Sequence, residues 1–194
     1  MEDSAIGLRE LLGETGAYRE GHFCLPDGQH VLSYYNCERL FQYPALASRA
    51  ADHLVTGLGG VEADFVFSPS ISSLVLAFEI SRRTGWQFVL HSLPFTAPNY
   101  RFPADTRLLV VEDVVVAGKS LEHAQMWCEQ RGGKVVAQAV LVDRRPEAGG
   151  SFDGIPLHSG IRDEVRVYAP ENCPACRDGV PVVQVEPNYP QRVS

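Results

Sequence analysis

One stretch in the middle of the chain, RLLVVEDVVVAGKSL at positions 107–121, constrains the fold most strongly. The apolar run at 108–111 is typical of a buried parallel strand. Glu112 and Asp113 follow it, and we expect these two carboxylates where the strand ends. A loop of small residues at 116–120 and an amphipathic segment come next. The order strand, acidic pair, loop and helix predicts an α/β unit.

The same order is suited to binding a sugar phosphate. Backbone amides of the loop and the N-terminus of the following helix attract a phosphate. The carboxylates of Glu112 and Asp113 accept hydrogen bonds from ribose hydroxyls or hold hydrated Mg²⁺. Gly118-Lys119-Ser120 also matches the end of a P-loop, but that motif requires a glycine at position 113, where this chain has aspartate. The P-loop interpretation is therefore set aside.

The rest of the chain alternates between helix and strand patterns. Residues 17–36 alternate apolar and polar side chains around Pro26-Asp27-Gly28, which predicts a β-hairpin. Strand, helix and strand patterns at 63–68, 74–84 and 87–91 predict a right-handed βαβ unit. Helices are also predicted at 4–13, 40–58 and 121–131, and strands at 135–142, 155–158 and 165–168.

The central stretch resembles the 5-phosphoribosyl 1-pyrophosphate (PRPP) motif of type I phosphoribosyltransferases, in which an apolar strand and two acidic residues precede a Thr- and Gly-rich loop. The segment 21–30, followed by Tyr34 and Asn36, is similar to the N-terminal hood of orotate phosphoribosyltransferases. This resemblance covers about residues 8–185. It implies an α/β fold with a doubly wound, mostly parallel sheet flanked by helices and carrying an N-terminal hairpin hood.

The resemblance also implies a domain organisation and a set of site residues. We expect one domain over 1–185, with the hood at 17–36 and a flexible tail at 186–194. Glu112 and Asp113 are the predicted catalytic residues and hold Mg²⁺ through water. The other predicted site residues are Val116, Ala117, Gly118, Lys119 and Ser120 for phosphate, Ser70, Ile71, Ser72 and Ser73 for pyrophosphate, Phe23, Tyr34 and Arg144 for the base, and Arg101 as a catalytic cation.

Several positions depart from the family pattern, and they affect the handling of phosphate. The family's pyrophosphate loop has a pattern like Gly-Pro-x-x-Gly-Gly; in the loop at 68–73 the proline is kept and serines replace all three glycines, and Val116 replaces a threonine. The family carries a flexible loop rich in Lys, Arg and Gly after the strand at 87–91. Here the segment 92–106 has three prolines and no lysine or glycine, which leaves Arg101 and His91 as the nearby cations. In the hood, Pro26 and Asp27 also differ from the family pattern.

The predicted function is transfer of the 5-phosphoribosyl group of PRPP to a pyrimidine-type base, with release of pyrophosphate, by a pentosyltransferase of pyrimidine biosynthesis. Two alternatives stay open: a transferase for a different base, and a non-catalytic PRPP- or nucleotide-binding regulator on the same fold. PRPP with Mg²⁺ and a nucleobase are the expected ligands, and the resemblance implies a homodimer.

Charge and hydropathy argue against nucleic acid and membranes as partners. A net charge of −7 argues against non-specific binding to nucleic acid. The sequence has no apolar run near the ~20 residues that a membrane span needs and begins without a signal-peptide pattern. We therefore expect a cytoplasmic protein with no membrane partner.

Cys173 and Cys176 form a C-x-x-C pair. One such pair supplies two of the four ligands of a structural zinc site, and Cys24 or Cys37 would complete it only if the fold brought them near. The pattern favours a tight proline turn that holds the tail, so zinc is not an expected cofactor.

Overall fold

The computed structural model describes residues 3–90, 101–146 and 150–185, with side chains from residue 7 onward. The helices are α1 (Asp3–Glu14), α2 (Glu38–Phe41), α3 (Pro44–Gly57), α4 (Leu74–Thr84), α5 (Lys119–Glu129) and α6 (Pro174–Arg177), with a 3₁₀ turn at Pro170–Asn172. The strands are β1 (Tyr18–Cys24), β2 (His30–Tyr35), β3 (Phe65–Phe67), β4 (Gln87–Val89), β5 (Arg107–Val115), β6 (Lys134–Asp143), β7 (Ser151–Phe152), β8 (Ile155–Arg162) and β9 (Val183–Gln184).

Six strands form the main sheet in the order β4-β3-β5-β6-β8-β7. All neighbouring pairs are parallel except β7 with β8. Successive residues of β5 point to opposite faces, so Leu109 and Val111 pack with α1, α3 and α4 while Leu108 and Val110 pack with α5. The sheet is therefore covered by helices on both sides, which confirms the predicted doubly wound α/β fold.

A second, three-stranded sheet forms the hood in the order β2-β1-β9. Strands β1 and β2 pair in antiparallel fashion, and β9 from the end of the chain adds to β1 in parallel. The hood has a small core of its own, formed by Phe23, Val31 and Val165. The predicted hairpin is thus present, and the C-terminal segment extends it.

The central strand is longer than the sequence predicted. β5 continues through Glu112 and Asp113 to Val115, whereas the sequence placed its end at Val111. The reason is pairing on one side only. β6 accompanies β5 as far as Val115 opposite Asp143, while β3 stops at Phe67 opposite Val110. The acidic pair therefore lies in the part of β5 that pairs with β6 on one side and extends beyond the end of β3 on the other.

Further boundaries differ from the prediction: the helix predicted at 40–58 is divided into α2 and α3, and the strand predicted at 155–158 extends to Arg162 as β8. α5 begins at Lys119 rather than Leu121, so two predicted loop residues lie in its first turn. Residues 165–168 form no strand, and Tyr168 instead makes an isolated bridge with His30 of the hood. The short strand β7 was not predicted. Predictions for His91 and for the tail at 186–194 lie outside the described residues.

Among the described residues, no helix combines the length and apolar character required to cross a membrane.

Candidate functional site

The acidic pair lies in a crevice at the carboxyl ends of two neighbouring strands. β3 leads through the loop 68–73 into α4, and β5 leads through 116–118 into α5. Both helices therefore begin at the same edge of the sheet, on either side of Glu112 and Asp113. Open α/β sheets bind ligands at this edge, where helix N-termini favour anions.

Glu112 is buried, with 3% of its surface exposed. The Ser70 hydroxyl donates a hydrogen bond to Glu112 Oε1 at 2.6 Å, and the Asp113 amide donates to the same oxygen at 3.3 Å. A buried carboxylate is tolerated only when hydrogen bonds or positive charge compensate its lost hydration. Ser70 thus joins the loop after β3 to the acidic pair.

Asp113 is half-buried, and its Oδ1 accepts a hydrogen bond from the Val114 amide at 2.9 Å. Burial, followed by the adjacent charge of Glu112, raises the pKa of Asp113, and the Val114 amide and Ser72 hydroxyl oppose this rise. Two neighbouring carboxylates repel each other, and a nearby cation stabilises their ionised forms. Water-bridged Mg²⁺ at Glu112 and Asp113 fits this role and the oxygen-rich donor set.

The loop after β3 is organised by its serine hydroxyls. Ser68 and Ser73 lie 2.8 Å apart through their Oγ atoms, and Ser70 Oγ lies 2.9 Å from Ser72 Oγ and 2.8 Å from Ser73 Oγ. The Ser73 amide donates to Ser70 Oγ at 3.2 Å, and Ile71 points outward with 69% of its surface exposed. Where the family pattern has flexible glycines, these hydroxyl hydrogen bonds hold the loop in one conformation beside Glu112.

The second loop turns sharply at Gly118, whose φ of 80° is in the left-handed region. A Cβ at this position would lie 2.1 Å from Phe152 Cζ of β7, so only glycine fits. Ala117 and Lys119 are exposed, Ser120 is half-buried, and Val116 is 38% exposed. The predicted phosphate-binding residues therefore lie together at the α5 N-terminus. Beside them is a cavity of about 440 Å³, lined by Val116, Ala117, Arg145, Pro146, Ser151, Phe152 and Asp153.

Phe23 and Tyr34 form an aromatic pair in the hood. Phe23 is buried and its ring centroid lies 5.8 Å from that of the half-buried Tyr34. Burial raises the pKa of Tyr34, and the nearby charge of Asp113 raises it further. Tyr34 is thus within electrostatic reach of Asp113. Arg19, opposite Tyr34 on β1, lies over the Phe23 ring at 5.5 Å.

Arg144 has a different position from the predicted one at the base pocket. It is buried, and its guanidinium donates to the Ser33 carbonyl at 2.9 Å, to Ser33 Oγ at 2.6 Å and to the Asp163 carbonyl at 3.3 Å. Burial lowers the pKa of Arg144. These contacts assign Arg144 to fastening the hood to the main sheet rather than to lining an open pocket.

The next residue, Arg145, lies at the cavity instead, and sequence reasoning missed it. Its guanidinium forms two hydrogen bonds of 2.9 Å to the carboxylate of Asp143 and lies 5.3 Å from the Phe152 ring centroid. The signal was the Asp143-Arg144-Arg145 sequence at a strand end. The sequence pattern does not show which of the two adjacent arginines faces the cavity, because β6 ends at Asp143 and the chain direction changes there.

Arg101 is distant from the acidic pair of its own chain. The backbone amide of the next residue, Phe102, donates a hydrogen bond to the Arg131 carbonyl, beyond the C-terminus of α5. That position is beside the amino end of β5, and Glu112 lies five residues further along the strand, roughly 16 Å at the usual rise per residue. Arg101 therefore precedes the amino end of β5, at the opposite edge of the sheet from the acidic pair of the same chain, and its role as a catalytic cation stays a prediction.

The cysteines lie in several different environments. Cys37 is buried in the core formed by α1, α3 and α4, and the Cys24 thiol donates to the Leu25 carbonyl at 3.5 Å. Cys173 and Cys176 lie under the hood beside His22 and His30. The two residues that the sequence offered as partners for the C-x-x-C pair are thus replaced by two histidines, which lie on the hairpin that the C-terminal segment extends.

No family model matches the chain. The orotate phosphoribosyltransferase of Carboxydothermus hydrogenoformans is 35% identical over 192 aligned residues, covering 92% of this chain and 96% of the relative. These shares leave no large segment of either protein unmatched.

Solved structures are similar in fold. Orotate phosphoribosyltransferase from Aeropyrum pernix superposes with a TM-score of 0.67 and 25% identity, covering 80% of this chain and 93% of that one. UMP synthase from Leishmania donovani gives a TM-score of 0.71 with 22% identity, over 81% of this chain. The matched region spans 36% of that longer protein.

Proposed function

Because the chain belongs to the orotate phosphoribosyltransferase family, we propose that it transfers the 5-phosphoribosyl group of PRPP to a pyrimidine-type base, orotate, with release of pyrophosphate. One observation carries this proposal: the carboxylates of Glu112 and Asp113 lie between two helix N-termini at the carboxyl edge of a parallel sheet. A ribose with phosphate groups at both ends requires this distribution of acceptors and donors.

Each part of the site has a distinct role in this proposal. The amides of 116–118 and the hydroxyl of Ser120, at the start of α5, bind the 5-phosphate. Glu112 and Asp113 accept hydrogen bonds from the ribose hydroxyls and hold hydrated Mg²⁺. The ion neutralises charge on the pyrophosphate when it is bound. Magnesium, like a cytoplasmic location, stays a prediction from the sequence and the family.

The reaction is a displacement at C1 of the ribose. The bond from C1 to the pyrophosphate oxygen breaks with both electrons leaving on pyrophosphate, and a ring nitrogen of the base forms the new bond to C1 as it gives up its proton. Positive charge develops on the ribose, and the carboxylates of Glu112 and Asp113 are placed to stabilise it. The protein contributes mainly by orientation and electrostatics.

The serine loop keeps its backbone amides and adds hydroxyl donors for the pyrophosphate. Ser72 and Ser73 are members of a continuous hydroxyl network that ends on Glu112 through Ser70. Hydroxyl protons rotate freely, so the network redirects its donors toward an arriving anion without moving the backbone. This arrangement supports retention of pyrophosphate handling despite the absent glycines.

Recognition of an anionic base requires a cation near the hood, and Arg19 meets this requirement. Its side chain is half-buried beside Phe23, and its Nε has no hydrogen-bond partner among the described residues. A carboxylate on the base satisfies such a donor. Arg19→Gln is expected to raise the KM for orotate about 10-fold or more while changing the KM for PRPP little, because a lost hydrogen bond to a charged group is worth about 1.5 to 3 kcal/mol. Steady-state kinetics with each substrate varied in turn measure this.

We also propose a homodimer formed through the β4 edge of the sheet. Val75, Phe78 and Leu90 are exposed there, with 40%, 52% and 74% of their surfaces accessible, and Phe88 packs against Phe78 at 5.9 Å between ring centroids. Among the described strands β4 is at an edge of the main sheet, and an edge strand next to an exposed apolar face favours association with another copy.

Release of pyrophosphate from Mg-PRPP tests the activity and identifies the base. The purified chain is mixed with orotate, uracil, cytosine, adenine or no base, and pyrophosphate is measured over time. The proposal predicts release that depends on orotate. Release with another base instead would assign a different transferase, and saturable binding of Mg-PRPP without any release would assign a regulator.

A further inference from the structure

A cluster of four metal-ligating side chains lies in the hood, outside the crevice. His22 and His30 come from β1 and β2. Cys173 directly precedes α6, and Cys176 lies within it. One ligand atom from each residue lies within 4.8 Å of all the others. His22, His30 and Cys173 are buried, with 3%, 7% and 2% of their surfaces exposed, whereas Cys176 is exposed.

We propose that His22, His30, Cys173 and Cys176 bind one structural Zn²⁺ ion. Tetrahedral zinc takes sulfur at about 2.3 Å and imidazole nitrogen at about 2.0 to 2.1 Å, which places neighbouring ligand atoms roughly 3.3 to 3.8 Å apart. The observed separations are close to this range: Cys173 Sγ and Cys176 Sγ lie 3.5 and 3.6 Å from His22 Nε2. Cys176 Sγ lies 3.2 Å, and His22 Nε2 2.8 Å, from His30 Nδ1.

The tautomer of His22 is fixed by a hydrogen bond on the far side of its ring. His22 Nδ1 lies 2.8 Å from the Val180 carbonyl oxygen. A carbonyl only accepts, so Nδ1 carries the proton and Nε2 directs a lone pair into the cluster. Zinc-bound histidines usually have such a partner, because it orients the ring and increases its basicity.

The donor set selects the metal. Two thiolates and two imidazoles are ligands for zinc, whereas Mg²⁺ and Ca²⁺ prefer oxygen. The cluster is therefore chemically distinct from the predicted magnesium site at Glu112 and Asp113, which offers only oxygen atoms.

The fold explains why a metal would be useful at this point. Besides the cluster and the hydrogen bond between His22 and the Val180 carbonyl, the described contacts between the C-terminal segment and the hood include the bridge between Tyr168 and His30, the short pairing of β9 with β1, and a core of three buried apolar residues. Such a small core supplies little stability. A zinc ion joining residues 22 and 30 to residues 173 and 176 would fasten the C-terminal segment to the hairpin of the hood.

Metal analysis of the purified full-length chain tests the proposal without any activity measurement, so its result is independent of the proposed transferase function. The protein is dialysed against zinc and then against metal-free buffer. We expect about one zinc per chain, and less than about a fifth of that in Cys176→Ser, since a site with three ligands binds more weakly. Cys24→Ser is the matched control, because Cys24 lies nearby outside the cluster, and it should keep the wild-type content.

Two further measurements keep the test decisive if a variant folds poorly. Wild-type protein loaded with Co²⁺ should show the visible bands of tetrahedral cobalt and a thiolate charge-transfer band. A strong chelator should expose two additional reactive thiols and lower the Tm by about 5 °C or more. Wild-type protein that retains no zinc, cobalt spectra typical of octahedral oxygen ligands, or equal zinc in Cys176→Ser and wild type would each overturn the proposal.

Discussion

At the scale of single residues, the acidic pair combines a functional advantage with a cost in stability. Asp113 is half-buried beside the buried Glu112, and burial together with the Glu112 charge raises its pKa. An aspartate whose pKa is raised in the folded state favours the protonated form there, so ionisation destabilises the fold. Active sites commonly retain such groups because the ligand needs them.

This argument predicts the stability of Asp113→Asn. The unfolded side chain ionises near pH 4, so wild type loses stability as the pH rises from there through the raised pKa, whereas asparagine does not ionise. In buffer without divalent cations, the variant should exceed wild type in Tm by at least about 2 to 4 °C at about pH 8.5, and by less at about pH 5. Thermal unfolding monitored by circular dichroism measures both.

Glu164→Gln is the control for this prediction. Glu164 is exposed, and the substitution removes one negative charge outside the site. Its Tm should follow wild type at both pH values. A variant Asp113→Asn that is less stable than wild type at alkaline pH would contradict the assigned cause of the raised pKa.

At the scale of elements, the close approach of two segments defines the phosphate loop. Gly118 begins α5, and Phe152 of β7 covers the position where a Cβ would lie. The loop shape thus depends on a contact between segments more than 30 residues apart in sequence.

Gly118→Ala and Gly28→Ala separate backbone strain from this contact. Both glycines have φ near 80°, at 80° and 84°, but a Cβ at Gly28 would meet no atom within 4 Å. Gly28→Ala should cost about 1 to 2 kcal/mol of unfolding free energy from strain alone. Gly118→Ala should cost at least about 1 to 3 kcal/mol more from overpacking against Phe152, as measured by urea unfolding. Equal losses would show that Phe152 does not restrict the loop.

Local patterns predicted some elements fully and others only in part. α4 has the predicted bounds, Leu74–Thr84, because an apolar periodicity is followed by Gly85, which adopts the left-handed conformation of a helix cap. The predicted strand ended too early, at Val111, because acidic residues are typical of a strand end. The sequence does not reveal that β6 continues to pair with β5 beside them. The pairing of distant segments was not visible from local patterns: Tyr168 with His30, Phe152 with Gly118, and the histidines with the C-x-x-C pair.

The candidate site shows the same limit. Glu112, Asp113 and the residues at 116–120 were predicted together because they are contiguous in sequence, and they lie together in the fold. Arg144 and Arg101 were assigned by position in a motif, but the direction of the chain after β6 and before β5 decides where they go. No sequence pattern singled out Arg19, because the relevant feature is structural: its Nε is buried without a hydrogen-bond partner among the described residues, and the residue pairs with Tyr34.

At the scale of the whole molecule, the apolar face beside β4 determines the predicted assembly. Phe78→Asp places a charge in the middle of the surface formed by Val75, Phe78, Phe88 and Leu90. We expect the variant to be a monomer at concentrations where wild type is a dimer, as measured by light scattering after size-exclusion chromatography, because an unpaired charge buried at an interface is costly. Met126→Asp is the control, since Met126 is similarly exposed, at 53%, on α5. A dimer that survives Phe78→Asp would exclude this face as the interface.

The central claim is that the acidic pair forms the PRPP site of an active transferase, and the rate of orotate-dependent pyrophosphate release by Asp113→Asn tests it most directly. Loss of a group that stabilises charge in the transition state commonly lowers rates by 10²- to 10³-fold. We predict a fall of about 100-fold or more in kcat/KM for PRPP, with Glu164→Gln retaining the wild-type value. Wild-type kcat/KM in Asp113→Asn would contradict the claim.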